Sequence, residues 1–396
     1  MRKTLKKSGK LCVAMVLVFL FGLSGCASKQ NAQQEYMKEW LAKSQLDDAD
    51  TKEELYQKAL DEDTLVIYSV SSRVFDVKKS FEEEYKGLTV EVKDVRGNDV
   101  VGQLQQNYED ENYECDLVIC SDNDGSLFKK LIEPGIIFPY IPHDIAPMMK
   151  EGHADGELMF LGETLMLFYN DDIFNEVPIE NIWELTEKKY SGKIIMANPL
   201  RSFSTYGFSA MLIHKSKEIA EAYQQYTGEE LHLLEGETAG QLLWEKITSN
   251  AVFTNSSDEV AEGIGNSGSE GYEIGIMISS KMRLQEVGYA FQPIYRLEPF
   301  SSVYTPNDVM IAGGAKNINT AKLFVRYLLG ETDGTGKGRL PYSTLGTWAT
   351  RTDVSDGNDV PLSQMDVINL DRQYVYKNRE KLDAIFQETL EKNVEK

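Results

Sequence analysis

The sequence predicts an α/β protein of two lobes, on three observations. Once an N-terminal export signal is set aside, 371 residues remain, enough for two packed domains. Near-continuous apolar runs such as 65–70, the mark of strands buried on both faces, alternate with stretches of helical period. A third apolar run, 158–170, is interrupted only by Gly162-Glu163-Thr164, as expected of two extended segments crossing from one lobe to the other.

The signal comes first. Arg2, Lys3, Lys6, Lys7 and Lys10 precede an apolar stretch, 11–23, that is too short for a comfortable membrane span. Leu23-Ser24-Gly25-Cys26 resembles the bacterial lipoprotein signal, which implies that residues 1–25 are removed and that Cys26 carries lipid through its sulfur. Residues 26–48 then read as a polar, weakly periodic linker from lipid to globule. Losing five basic residues with the signal takes the formal charge from -22 to -27. So acidic a surface disfavours nucleic acid and anionic lipid, but it says little about a small ligand, since screening acts within roughly 8 to 10 Å.

Asp50-Thr51 caps a predicted helix ending near Leu60, with Glu53 and Glu54 favoured in its first turn. A strand over 65–70 follows. Val74, Val77, Phe81 and Tyr85 then recur at helical spacing until Gly87. Leu88–Val95 alternates as a strand, Val100–Tyr108 as a helix, Cys115–Cys120 as a strand and Asp124–Ile132 as a helix. Strands alternating with helices argue for a mainly parallel sheet covered on both faces. Beyond 170, helices are expected at 183–190, 205–213 and 237–250, strands at 193–198 and 273–278, and a short helix after Asn255-Ser256-Ser257. A strand at 308–312, a helix at 320–329 and a final helix at 373–391 complete the chain.

Cys115 and Cys120, five apart on one strand, fall on opposite faces and are expected as buried free thiols. No Cys/His spacing suits a metal, and the sequence contains no Walker motif, nucleophile elbow, H-E-x-x-H or dinucleotide glycine fingerprint. An enzyme therefore has no residues to stand on, and neither a metal nor a cofactor is expected.

What recurs is a hydroxyl-rich loop between a strand and a helix: Ser71-Ser72, then Ser202 with Ser204-Thr205, then Ser256-Ser257. Free amides and the positive end of the dipole make a helix N-terminus an anion site, and hydroxyls add uncharged donors. Plain N-capping is the competing explanation for each loop. Three such loops across two lobes favour a shared cleft. Arg73 and Arg201 adjoin two of them and suit an anion. Asp122 suits an amine or ligand hydroxyl, or a turn, while Ser279 and Tyr304 complete the candidate ligand-binding set.

The order of these motifs resembles the extracellular solute-binding proteins of ABC importers, in the branch of ferric-ion, phosphonate, sugar-phosphate, thiamine and polyamine binders. The resemblance rests on LYQKALDEDTLVIYSVSS, WELTEKKYSGKIIMANPLRSFSTYGF, FTNSSDEV with YEIGI, NDVMIAGGAKNINTAKLFVRYLLG and VINLDRQYVYKNREKLDAIF. It implies a periplasmic-binding-protein-like fold: lobe 1 from 49–165 plus about 291–340, and lobe 2 from 166–290 plus about 341–396. It further implies a lipid-anchored monomer on the outer face of the cell membrane, closing on a small-molecule ligand and delivering it to an ABC permease driven by an ATPase. Ferric binders of the branch carry adjacent tyrosines after the strand matching Glu273–Ile278; here Ser279-Ser280 follows, and the chain has no Tyr-Tyr pair. An oxyanion such as a phosphonate or phosphate ester is the first expectation. A neutral polar solute, ferric iron, and a sensor or adhesion component using the same fold are the alternatives.

Overall fold

The computed structural model describes residues 32–394 except 96, 267, 269 and 270, so the predicted signal and Cys26 lie outside the described residues. The chain opens with helix α1, residues 32–44, and α2, Lys52–Ala59, whose Thr51 and Glu54 form a reciprocal capping box. It continues through β1 (Leu65–Ser69), α3 (Val74–Glu84), β2 (Val90–Asp94), α4 (Gly97–Glu109), β3 (Leu117–Cys120), β4 (Ile137–Phe138), β5 (Met159–Gly162) and β6 (Thr164–Tyr169). Next come β7 (Ile194–Ala197), α5 (Phe203–His214), α6 (Ser216–Thr227), α7 (Ala239–Asn250), β8 (Ala251–Thr254), α8 (Ser257–Gly265) and β9 (Ile274–Ile278). Last are β10 (Gln292–Pro293), β11 (Ser302–Tyr304), β12 (Asn307–Ala312), α9 (Ile318–Leu329), β13 (Trp348–Ala349), β14 (Val367–Asn369), α10 (Arg372–Lys377) and α11 (Arg379–Val394).

Two sheets form the centres of the two lobes. The first runs β13-β5-β12-β3-β1-β2, with β4 beside β12; the second runs β14-β11-β6-β9-β7-β8, with β10 beside β6. In each, βα units give parallel pairs, β1 with β2 and β3, and β7 with β8 and β9. The crossing strands enter antiparallel, so both sheets are mixed rather than mainly parallel. Alternation then sorts side chains to two faces: Leu165 and Leu167 of β6 pack on one side, Met166 and Phe168 on the other. The apolar runs seen in the sequence are strands covered on both faces.

The run 158–170 splits at Glu163, with β5 in the first sheet and β6 in the second. Strand pairing also puts β10 and β11 in the second sheet and β13 in the first. The chain therefore returns at 305–306 rather than near 291, and leaves again after 349 rather than near 341. Two local differences have simple causes. The helix expected at 183–190 forms as two 3-10 turns, Ile182–Thr186 and Lys188–Tyr190, because Asn181 caps one turn and Glu187 is extended. The final helix breaks at Asn378 into α10 and α11.

Residues 32–44, expected as part of a linker without structure, instead form a helix docked on the first lobe. Met37 and Ser44 are buried, the Tyr36 ring stacks on Tyr113 at 5.0 Å, and the Trp40 indole donates to the Ala315 carbonyl at 2.9 Å. Cys115 and Cys120 are buried free thiols, and both pack in one apolar cluster, Cys115 lying just before β3 begins.

Asp116 knits the first lobe together. Its carboxylate accepts from the Val66, Lys316 and Asn317 amides and from the Asn317 side chain, all between 2.8 and 3.1 Å. Asp116→Ala leaves these donors without an acceptor, so it should lower stability by about 3 kcal/mol, read as a reduced midpoint in urea at unchanged slope.

Candidate functional site

A cleft of about 960 Å³ opens between the lobes, within the size range of small-molecule sites. The first lobe supplies Ser71, Ser72 and Arg73 from the β1–α3 turn, Asp99 from α4, Cys120 at the end of β3 with Ser121 and Asn123 beyond it, and Asn307 from β12. The second supplies Arg201, Phe203 and Ser204 at the start of α5, Asn255, Ser256, Asp258 and Glu259 at the start of α8, and Ser280, Lys281 and Arg283 after β9. Glu163, from the crossing between the sheets, sits at the back.

Three helix N-termini thus border one space, those of α3, α5 and α8. Two are capped by their own loops. Ser202 accepts from the Thr205 amide and hydroxyl, and Ser256 accepts from the Glu259 amide. The start of α3 has no side-chain cap, because Arg73 occupies that position.

Of the candidate residues, Ser71, Ser72, Arg73, Arg201, Ser204 and Ser256 are brought to the cleft, and the remainder work elsewhere. Ser202 and Thr205 close the α5 cap. Ser257 accepts from the Ile278 amide at 3.4 Å, tying α8 to β9. Ser279 is fully buried, accepting from the Thr164 amide and donating to the Gly346 carbonyl. Asp122 accepts from the Leu127 and Phe128 amides, as a turn would. Tyr304 packs against Gly162, and its hydroxyl bonds to His153 Nε2 at 2.9 Å.

Arg73 and Arg201 apart, the charged groups of the cleft, Glu163, Asp258, Lys281 and Arg283, are what sequence reasoning missed. Arg73 donates from Nη2 to Glu163 at 2.8 Å and lies over the Tyr342 ring at 4.7 Å. Its Nη1 is buried and makes no hydrogen bond to the protein. Glu163 also accepts from Asn307 Nδ2 at 2.6 Å. Burial pushes the Glu163 carboxyl up, but the Arg73 charge and hydrogen bonds from Ser280, Arg73 and Asn307 outweigh it and hold the group below its ordinary value. Lys281 pairs with Asp258, and burial lowers its ammonium despite that partner. Arg201 donates to the neutral Asn255 at 2.6 Å, and Arg283 to the Ser280 carbonyl at 2.6 Å. Among the described residues, neither of these two guanidiniums has a carboxylate within salt-bridge distance. One signal for Glu163 was present in the sequence: a lone charge inside an apolar run.

Next to the cleft, a buried charge cluster joins the lobes. Arg372 of α10 reaches Glu157 at 2.7 Å and Asp308 of β12 at 3.5 Å, and Arg379 of α11 pairs with Asp124. Burial pushes Asp122 up to about 6 and Asp308 well above its ordinary value, with Arg372 pulling both back. Among the described residues, no group of three His, Cys, Asp or Glu side chains is placed to hold a metal ion. No helix among them is long and apolar enough to cross a membrane.

Two sheets linked by crossing strands, with a polar cleft between them, define a binding protein of the two-lobe kind. The chain belongs to the family of bacterial extracellular solute-binding proteins, whose sequence profile matches residues 73–333. It is accordingly the solute-binding component of an ABC transporter, and it works on the extracellular or periplasmic side. The fold is similar to the iron-bound HitA of Pseudomonas aeruginosa (13% identity, TM-score 0.62, 83% of this chain and 99% of that one). It is also similar to the periplasmic binding protein AfuA of Actinobacillus pleuropneumoniae with fructose-6-phosphate (19% identity, TM-score 0.60, 81% and 96%). A third similar structure is the binding protein AgtB of A. tumefaciens R10 with agropinic acid (11% identity, TM-score 0.58, 83% and 98%). Comparison with curated proteins finds no match.

Glu163 gives the site a pH signature. With its folded value below the unfolded one of about 4.3, it adds stability that is present above that pH and lost as pH falls through the folded value. Asp122 and Asp308 act oppositely: their contribution is present below about 3.9 and fades as pH rises through their raised values. Glu163→Gln isolates the first effect. It should cost about 3 kcal/mol at neutral pH by stranding the buried Arg73, and the gap from the parent should close as pH drops below about 4, measured by urea unfolding across pH.

Proposed function

We propose that the protein captures a small anionic solute, a phosphonate or phosphate ester, in the cleft between its lobes and hands it to its permease. We also propose that the mature chain is a monomer held at the membrane by lipid on Cys26. The observation that carries the ligand reading is the state of three guanidiniums. Arg73 keeps a buried donor unused, and Arg201 and Arg283 line the cleft without a carboxylate partner. A buried unmade hydrogen bond costs about 1–3 kcal/mol, which a ligand oxygen would recover. Planar guanidiniums suit the paired oxygens of a phosphoryl or phosphonyl group. Hydroxyls of Ser72 and Ser204 and the uncapped start of α3 add donors that need no charge.

The residues lining the cleft include neither tyrosine nor histidine, which weighs against direct capture of ferric iron. With contacts divided between the lobes, a ligand favours closure by the difference in its affinity for the closed and open forms. A solute sensor on the same fold would use the same cleft, and no residue lining it favours sensing over transport.

The test is the melting temperature of a soluble chain beginning after Cys26, with phosphonates, sugar phosphates, inorganic phosphate, polyamines, thiamine and ferric citrate supplied separately. Ligand at a hundred times its dissociation constant adds about 2.7 kcal/mol, a readily measured shift. A phosphoryl or phosphonyl compound should raise it, and Arg283→Ala or Arg201→Ala should each weaken binding about 10- to 100-fold while leaving the ligand-free melt little changed. A shift with polyamine, thiamine or ferric citrate alone would overturn the anionic reading.

A further inference from the structure

We infer that α1 acts as a strap that holds the first lobe against the membrane, leaving the second lobe as the distal, moving one. The inference rests on the proposed lipid at Cys26 and on the way residues 32–44 are bound to the globule. Docking extends along the whole helix. Near its start Gln33 donates to the Tyr108 carbonyl at the end of α4, and the Tyr36 ring stacks on Tyr113. In the middle Met37 is buried where a Cβ on Gly313 would collide with it, and Trp40 bonds to Ala315.

At the far end the attachment is electrostatic. Lys322 of α9 is 1% exposed, and its ammonium donates to the Gln45 carbonyl, just past the last turn of α1, at 2.6 Å. A cation at a helix C-terminus is favoured by the dipole. Among the described residues Lys322 has no carboxylate within salt-bridge distance, so releasing α1 would take away the hydrogen-bond acceptor of a buried ammonium. That bond, made beside the Tyr140 ring at 5.5 Å, ties the C-terminal end of α1 to α9.

The consequence is one of length. A free linker from Cys26 to Asp48 would reach about 75 Å, comfortably more than the size of a chain with a radius of gyration of roughly 20 Å. With α1 docked, only residues 27–31 separate Cys26 from the helix, a reach of about 20 Å. The protein cannot tumble freely on so short a tether. The edge formed by the end of α4 and the turn at Asp110 must stay near the headgroups, whereas Leu234, in the loop between α6 and α7, belongs to the second lobe, which none of the contacts named for α1 reaches.

The test uses the full lipidated chain purified from bacterial membranes and reconstituted in phosphatidylcholine vesicles. A fluorophore is placed at Asp110→Cys or at the exposed Leu234→Cys, and energy transfer to a headgroup acceptor is measured. Cys115 and Cys120 are buried, so labelling stays selective. Transfer from position 110 should exceed that from 234 at least about twofold, and a 20-residue Gly/Ser insert between Asn31 and Ala32 should remove the difference without lowering the melting temperature. Equal transfer from the two positions in the parent, or an insert without effect, would overturn the strap. Cys26→Ser should abolish vesicle association. Failure of the parent chain to float with vesicles would instead overturn the lipid reading and the strap with it, a result separable from a geometric failure.

Discussion

A single buried carboxylate, Glu163, sits where the chain passes from one sheet to the other, and the cleft depends on how it is satisfied. Its carbonyl accepts from the Thr305 amide at 2.8 Å, joining the two crossing segments to each other. Its side chain reaches Arg73 after β1 and Asn307 at the start of β12, and hydrogen-bonds Ser280 beyond β9. One ionised group thereby fixes the hinge, a loop of each lobe and the orientation of the cationic group that faces the cleft. A charge so buried is tolerated only with a complete set of partners. The same completeness keeps Arg73 in place with one nitrogen to spare.

The cleft also shows why overall charge is a poor guide to a ligand. The chain is strongly acidic, yet its cleft holds Arg73, Arg201, Lys281 and Arg283 among its lining residues. Of these, Arg73 and Lys281 are partly neutralised by Glu163 and Asp258, and two guanidiniums are left with neutral partners. At a few ångströms in a partly buried site, such groups outweigh a diffuse surface field that salt screens. On the other side of the 121–126 loop, Arg372 and Arg379 meet Glu157, Asp308 and Asp124, so the C-terminal helices, packed on the second lobe, grip the first by charge.

Much of the fold was legible because strand burial and helical period are written into the sequence in different rhythms. The β1–α3–β2–α4–β3 order, the crossing at Glu163, α5, α7, α8 and α9 all follow from them. What went unread were α6 and β8, together with pieces too short to have a period, β11, β13 and β14, which exist only because a neighbouring strand offers an edge. The site was legible in half. Hydroxyls at helix starts pointed to the cleft, but Ser and Thr at such positions serve the backbone first, as Ser202, Thr205, Ser257 and Ser279 do. Lys281 and Arg283 gave no sign at all, since a basic residue after a strand reads as surface until the opposing lobe is in place.

The helix at 32–44 shows the same limit from another side. Its composition is that of a solvated spacer, and most of its surface is indeed exposed. Docking needs only one narrow stripe, and Gln33, Tyr36, Met37, Trp40 and Ser44 fall at the three- and four-residue spacing of a single helix face. A polar segment with so few apolar residues is not held by area alone. It is held because Lys322 and Tyr113 of the globule each find a partner on or just past α1. The signal that this segment folds therefore lies almost three hundred residues away in the sequence, on the helix that receives it.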